Sequence, residues 1–188
     1  MITGNRHSRW SVAATSVPFV SVINVEQATE QDAEPILALR HSLEEWLEAS
    51  SVEQWGRGEV GLAEVQRQVA SNEWHVVRSP AGDLRAALRL LWSDEPVWQQ
   101  QNALAAYVHG LMVRRADAGV GLGAVLLGWA EQQAHKNAVP ILRLDCVESN
   151  EALRRYYRAL GLSEVGRRDF DGPWYSAVLL EKELRLSA

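Results

Sequence analysis

Between Tyr107 and Gln133 the spacing of apolar residues changes period, and three glycines stand at the change. Ala105–Val113 alternates, with Tyr107, His109, Leu111 and Val113 at its odd positions, which reads as a strand. From Leu122 onward, Leu122, Val125, Leu126, Trp129, Ala130 and Gln133 fall on one helical face. Gly119, Gly121 and Gly123 lie between. Glycine takes positive φ easily and lets a ligand approach the main chain without meeting a Cβ. Such a strand–turn–helix commits the chain to a sheet with a helix packed on it. It also leaves the N–H groups of the helix start exposed, where the dipole places about half a positive charge. That arrangement suits a phosphate or pyrophosphate. The same turn is also a common plain connection, so at this point both readings stand.

The other elements follow from periodicity and turn chemistry. Ser21–Val25 is short and β-branched, a first strand. Thr29 and Asp32 mark a helix start, with Pro35 in its first turn and Ile36, Leu39, Leu43, Trp46 and Leu47 as its stripe. After Gly56, Gly58 and Gly61, a weaker helix shows at Leu62, Val65 and Val69. Trp74–Arg78 and Leu84–Trp92 read as strands around the turn Ser79–Asp83, followed by a polar loop from Ser93 to about Asn102. Pro140 ends the glycine-led helix, and Ile141–Val147 is a strand. Asn150 caps a helix that runs to about Leu160 and stops at Gly161. Glu164–Arg168 and Trp174–Glu181 finish as strands. The predicted order is β-α-α-β-β-β-α-β-α-β-β, an α/β fold on a mixed sheet.

With 188 residues, one domain over 21–188 is expected, behind a disordered leader at 1–20. In that leader Arg6 and Arg9 precede Val12-Ala13-Ala14, a faint echo of a secretory signal that Pro18 and the interleaved Ser and Thr break. The net charge of −5 argues against a broad cationic face for nucleic acid. Arg114, Arg115, Arg154, Arg155 and Arg158 remain candidates for a local basic site. Cys146 is the single cysteine, so no internal disulfide can form, and the cytoplasm is the default compartment. No apolar run approaches the roughly 20 residues of a membrane helix, so no membrane role is expected.

Two other phosphate-binding motifs fit the glycine loop less well. A P-loop needs a Gly-Lys-Ser/Thr ending, and no lysine is present here. A dinucleotide fingerprint needs G-x-G-x-x-G directly after a first strand, whereas this loop reads G-x-G-x-G and starts five residues beyond Val113. Asp145, at the end of the next strand, does imitate the ribose-binding acid of such folds. A dinucleotide-dependent oxidoreductase is therefore the more distant alternative.

Three segments, in order, resemble the GNAT superfamily of N-acetyltransferases. Tyr107-Val-His-Gly-Leu-Met-Val113 is similar to the strand that enters the family's acetyl-CoA site. Ala118-Gly-Val-Gly-Leu-Gly123 is similar to its pyrophosphate loop, written Gln/Arg-x-x-Gly-x-Gly/Ala. The stretch from Asn150 through Tyr157 to Gly161-Leu162 is similar to its closing motif, an Asn, a Tyr seven residues on, then Gly-Phe. The likeness spans about 21–183 and is strongest over 107–162. Ala118 stands where relatives carry Arg or Gln, and Leu162 where they carry Phe. The resemblance implies a central, mostly antiparallel sheet flanked by helices and an acetyl-CoA-dependent N-acyltransferase acting on an amine of a small molecule, protein or peptide. A non-catalytic acyl-CoA-binding module is the alternative. No metal and no nucleic acid is expected, and the assembly would be a monomer or homodimer.

Site residues follow from the same resemblance. Leu111, Met112 and Val113 would meet the thioester end, one of their N–H groups steadying the oxyanion. Ala118, Gly119, Val120, Gly121, Leu122, Gly123 and Ala124 would cradle the diphosphate through main-chain N–H groups, with Arg114 or Arg115 adding charge. Asn150 would cap its helix and reach the pantetheine arm. Tyr157 matches the family's acid, which protonates the departing thiolate. His109 stands where many relatives carry a Glu base, and an ordinary imidazole pKa near 6.5 suits that work. Glu148, Asp94 and Glu95 compete for the role. Cys146 reads as a small buried strand residue rather than a nucleophile. Trp46, Trp55, Trp92 and Trp98 fall in the half that lines the acceptor site in relatives.

Overall fold

The computed structural model describes residues 23–99, 103–170 and 175–185. The expected leader lies outside the described residues, as do Ser21, Val22 and Trp174. In chain order the elements are β1 (Glu26–Gln27), α1 (Ala33–Ala49), α2 (Leu62–Ala70), β2 (Trp74–Arg78), β3 (Leu84–Leu91), α3 (Glu95–Trp98) and β4 (Ala105–Val113). Then come α4 (Leu122–Lys136), β5 (Ile141–Val147), α5 (Glu151–Ala159), β6 (Ser163–Arg168) and β7 (Ala177–Glu183). The strands make one sheet in the order β1-β2-β3-β4-β5-β7-β6. Among the described residues only β4 and β5 pair in parallel, and α4 is the crossover that such a pair requires. The expected α/β, mostly antiparallel sheet is present. A single parallel pair is not the doubly wound sheet of a dinucleotide fold.

Four local expectations need correction. The first strand is Glu26–Gln27, one residue past Val25, because it is there that the chain comes into register with Val76 and His75 of β2. The loop after β3 holds a short helix, α3, with Pro96 at its start and Asp94 before it. On α1 the buried stripe is Ile36, Leu39, Leu43 and Leu47, whereas Trp46 stands off it at 38% exposure.

The fourth correction matters most for the site. In β4 the pair Gly110-Leu111 opposes the single residue Leu88 of β3, a bulge made possible by φ +54 at Gly110. One extra residue inverts the alternation beyond it. Tyr107 and His109 therefore share a face with Met112, which packs with α1 and α2, while Leu111 and Val113 turn to the α4 side. The odd-numbered stripe of the sequence is broken between 109 and 111.

Helix α4 buries Leu122, Leu126, Leu127, Ala130 and Ala134 on one face of the sheet. Helices α1 and α2 cover the other. No helix among the described residues is long and apolar enough to cross a membrane.

Candidate active site

The parallel ladder between β4 and β5 runs only from Ala105–Val108 to Ile141–Leu144. Past it, β4 keeps β3 as its partner and β5 keeps β7, so the two strands part at their C-terminal ends. A cavity of about 1000 Å³ occupies the gap and extends under α1 and α2. The split is built into the pairing: each strand satisfies its outer edge and leaves its inner edge to a ligand.

At one end stands the turn from β4 into α4. Gly119 has φ +81, and Gly121, the N-cap of α4, has φ +85. Among the described residues no acceptor meets the N–H groups from Gly119 to Ala124; the neighbouring donors Asp117, Ala118 and Val125 do bond within the turn. These unpaired donors at the N-terminus of a fifteen-residue helix form an anion cradle. A Cβ on Gly123 would lie 2.7 Å from the Tyr156 hydroxyl, which places Tyr156 over the cradle.

Arg114, expected to add charge at the cradle, is partly engaged and 40% exposed. Its Nε donates to Asp117 at 2.6 Å, and Arg85 grips the same carboxylate with Nε and Nη2 at 2.9 and 2.7 Å. Those contacts, Arg85 first and then Arg114, hold the Asp117 carboxyl below its ordinary pKa. Arg115 stacks 3.8 Å over the Trp46 ring and has no carboxylate partner among the described residues. Arg154 and Arg158 are tied to Glu164 and Glu151, so they make no open basic patch.

Helix α5 brings Tyr157 to the gap from the α4 side, where it packs beside Cys146, 6% exposed. Burial raises the Tyr157 phenol well above its usual pKa, with the neighbouring Cys146, Tyr156 and Asp145 adding to the shift, so it stays protonated. The Cys146 thiol is pushed up to about 12, chiefly by burial, which keeps it a thiol at neutral pH and unsuited to nucleophilic attack. Asn150 caps α5 by accepting from the Leu153 N–H at 3.0 Å. Its Nδ2 donates to Gln54 at 2.8 Å, which leaves one N–H of that amide for a ligand.

His109 lies on the opposite face, one residue beyond the last parallel pair. Its Nε2 is 2.9 Å from Asp94 Oδ2, and its Nδ1 is 3.7 Å from Asp145 Oδ1. Asp94 is 8% exposed and sits behind the ring, whereas Asp145 lines the cavity. Burial raises the Asp145 pKa; His109 offsets part of that effect, and Asp94 adds to it. The competing base candidates separate cleanly. Glu148 pairs with Arg167 at 2.9 Å away from the cavity lining, and Glu95 is exposed at the start of α3.

Of the four tryptophans expected near the acceptor site, Trp46 and Trp55 line the cavity. Trp98 is buried against Tyr107 and Arg143, and Trp92 is a surface residue at 49% exposure. Sequence reasoning missed Trp74, Phe170 and Tyr175 as wall residues, and Tyr156 beside the cradle. Only Tyr156 left a signal, as the neighbour of Tyr157 on the same amphipathic helix.

A group-transfer site is what this geometry defines: an anion cradle at one end of a split sheet, with an imidazole and a buried phenol brought to the gap from its two faces. A profile of the acetyltransferase (GNAT) family matches residues 40–162, and the chain belongs to that family of acyltransferases. It is 32% identical over 166 residues to the uncharacterized N-acetyltransferase YesJ of Bacillus subtilis (strain 168), covering 84% of this chain and 88% of that protein. A GNAT family acetyltransferase from Listeria monocytogenes 4b F2365 matches with a TM-score of 0.72 at 28% identity, over 86% of this chain and 95% of that one. The yncA protein of Salmonella typhimurium, a putative acetyltransferase solved with its cofactor acetyl-CoA, matches at a TM-score of 0.64 and 15% identity, over 89% and 97% of the two chains. That last likeness is one of fold.

Proposed function

We propose that this protein transfers the acetyl group of acetyl-CoA to a primary amine of a small molecule, protein or peptide by direct attack in the β4–β5 gap, acting in the cytoplasm. The run of unpaired N–H groups from Gly119 to Ala124, at the mouth of the gap that also receives Tyr157, carries the reading. Donors of that kind hold a diphosphate without needing the side chain that Ala118 lacks. A coenzyme so held lays its pantetheine arm between the parted strands, with the thioester near the bulge at Gly110-Leu111.

The chemistry then needs few groups. The amine enters as an ammonium and gives one proton to His109, which passes it to solvent. The freed nitrogen attacks the thioester carbon, and a main-chain N–H within Leu111–Val113 donates to the developing oxyanion. Collapse breaks the C–S bond while Tyr157 gives its proton to the departing sulfur. The proton shed by the adduct's nitrogen restores Tyr157. The balance is one ammonium and one thioester in, one amide, one thiol and one proton out. Holding the two reactants together supplies much of the rate, up to about 7–11 kcal/mol in well-oriented cases.

Acetyl-CoA is expected to raise the melting temperature while NAD(P) does not, and an amine screen read by release of free coenzyme A thiol is expected to find turnover. A rise with NAD(P) alone would overturn the cofactor assignment, and a melting shift without turnover would favour the non-catalytic acyl-CoA module. Tyr157→Phe is expected to lower kcat by roughly 100-fold or more with acetyl-CoA affinity changed less than about 3-fold. Normal turnover by that variant removes Tyr157 from the acid role.

A further inference from the structure

The cavity is electrically polar. On its walls Arg89 is balanced by Glu73, Arg40 is shared by Glu44 and Glu59 and so leaves an excess of negative charge, and Asp117 is shared by Arg85 and Arg114 and so leaves an excess of positive charge beneath the cradle. Two further places are unbalanced among the described residues. Arg115, at the cradle end, lacks a carboxylate. At the other end one imidazole, His109, faces two carboxylates, Asp94 and Asp145, and neither has a cationic partner besides it. Asp145 is the one open to the cavity.

From this geometry we infer that Asp145 receives the acceptor's ammonium group, that Asp94 is a positioning residue for His109, and that the acceptor is a cationic primary amine with no carboxylate beside the nitrogen. The assignment rests on the acetyl-transfer reading above. Asp94 accepts the Nε2 proton of His109 and so fixes the tautomer whose Nδ1 lone pair faces Asp145 and the cavity. An ammonium docked on Asp145 then lies beside the atom that takes its proton. Ordinary α-amino acids bring a carboxylate to the same place, where Asp94 and Asp145 repel it and no free cation waits for it. Trp74, whose ring lies against Gly110 next to His109, suits an apolar or aromatic body behind the nitrogen. The groups facing the ring are Asp94 from the β3–α3 loop, Asp145 from β5 and the Glu73-bound Arg89 of β3; Arg40, Glu44 and Glu59 nearby are paired with one another.

The test uses the full chain, acetyl-CoA and matched pairs of compounds: phenylalanine with phenethylamine, tryptophan with tryptamine, leucine with isoamylamine, each followed by thiol release. The amine of each pair is expected to win in kcat/KM by about 100-fold or more. Asp145→Asn is expected to raise the amine KM about 10-fold or more with acetyl-CoA KM unchanged, and to narrow the gap between amine and amino acid. Asp94→Asn is expected to lower kcat and displace the rising limb of the pH–rate profile while leaving amine KM within about 3-fold. Preference for the amino acids, or an unchanged amine KM in Asp145→Asn, overturns the inference. An unmoved pH limb in Asp94→Asn removes that residue's positioning role. If no pair is acetylated, the acceptor class is wrong, and the acetyl-transfer reading falls with it only if acetyl-CoA also fails to raise the melting temperature.

Discussion

On the proposed reading, the two ends of the cavity meet their ligands with different parts of the chain. At the cradle the donors are main-chain N–H groups on one continuous stretch, Gly119 to Ala124, and side chains play a small part. At the acceptor end the work falls to side chains from three separate segments: Asp94 after β3, His109 on β4 and Asp145 on β5. A ligand that every member of a family shares can be met by backbone geometry, which survives substitution. One that differs between members must be met by groups that a single substitution can change. The contrast predicts where substitution of a side chain should hurt and where only a change of main-chain conformation should.

The largest effect is expected at the acceptor end. His109→Ala removes the one imidazole between two carboxylates, and kcat/KM for the amine should fall by about 100-fold or more. Its pH–rate profile should also lose the rising limb near neutrality. A limb that persists unchanged moves the base elsewhere, and the acceptor end would then need no special side chain at all.

The same contrast decides what was legible in the sequence. The cradle was readable because its parts are local: Gly119, Gly121 and Gly123 sit between a strand and a helix, and the closing segment from Asn150 to Tyr157 is one helix. The sheet class was readable for similar reasons, since alternation and stripes are short-range signals. The bulge at Gly110 was not, because a lone glycine in a strand says nothing of the Trp74 ring that a Cβ there would meet at 2.8 Å. Missing it put Leu111 and Val113 on the wrong face. Nor could spacing show that Asp94 and Asp145 flank His109 across gaps of 15 and 36 residues, or that Trp98 belongs to the core and Trp74 to the wall. Those facts arise only when strands pair.

Next in size should be a main-chain change at the cradle. Gly121 has φ +85 with open space where a Cβ would stand, so a substitution there acts through conformation rather than collision. Left-handed backbone costs an ordinary residue about 1–2 kcal/mol, and a β-branched one more. Gly121→Val is therefore expected to raise the acetyl-CoA KM about 10-fold while the amine KM stays near its original value. Equal loss for both substrates would mean that the two ends are not separable.

A smaller effect is expected beneath the cradle, where Asp117 ties Arg85 of β3 to Arg114. Its folded pKa lies below the unfolded one, because of the hydrogen bonds from Arg85 and then Arg114. The stability it contributes is thus present above about pH 4, the ordinary value, and is lost as pH falls through the lower folded value. Asp117→Asn should melt roughly 2–4 °C lower at pH 7, with the difference closing in acid. Asp145 has the opposite sign. Burial raises its folded pKa, so its charge opposes folding above the ordinary value, and Asp145→Asn should melt slightly higher than the parent at neutral pH. A gain in stability together with a loss of amine affinity is the pattern of a group kept for binding.

The smallest effect should come from Arg115, the cradle cation with no carboxylate partner among the described residues. Arg115 lies on Trp46 at 3.8 Å, so the ring holds the guanidinium at the cavity wall without neutralising it. Its contribution to a bound diphosphate is then a long-range attraction through a partly wet cavity, and salt screens such attractions, the Debye length falling from about 10 Å at 0.1 M to 3 Å at 1 M. Arg115→Ala is expected to raise the acetyl-CoA KM by about 3-fold at low salt, with the difference vanishing near 1 M. A loss as large as that of Gly121→Val, or one that salt does not screen, would mean that Arg115 contacts the phosphates directly and has taken over the work of the side chain missing at Ala118. The cradle would then depend on a side chain after all, and the contrast between the two ends would be one of degree.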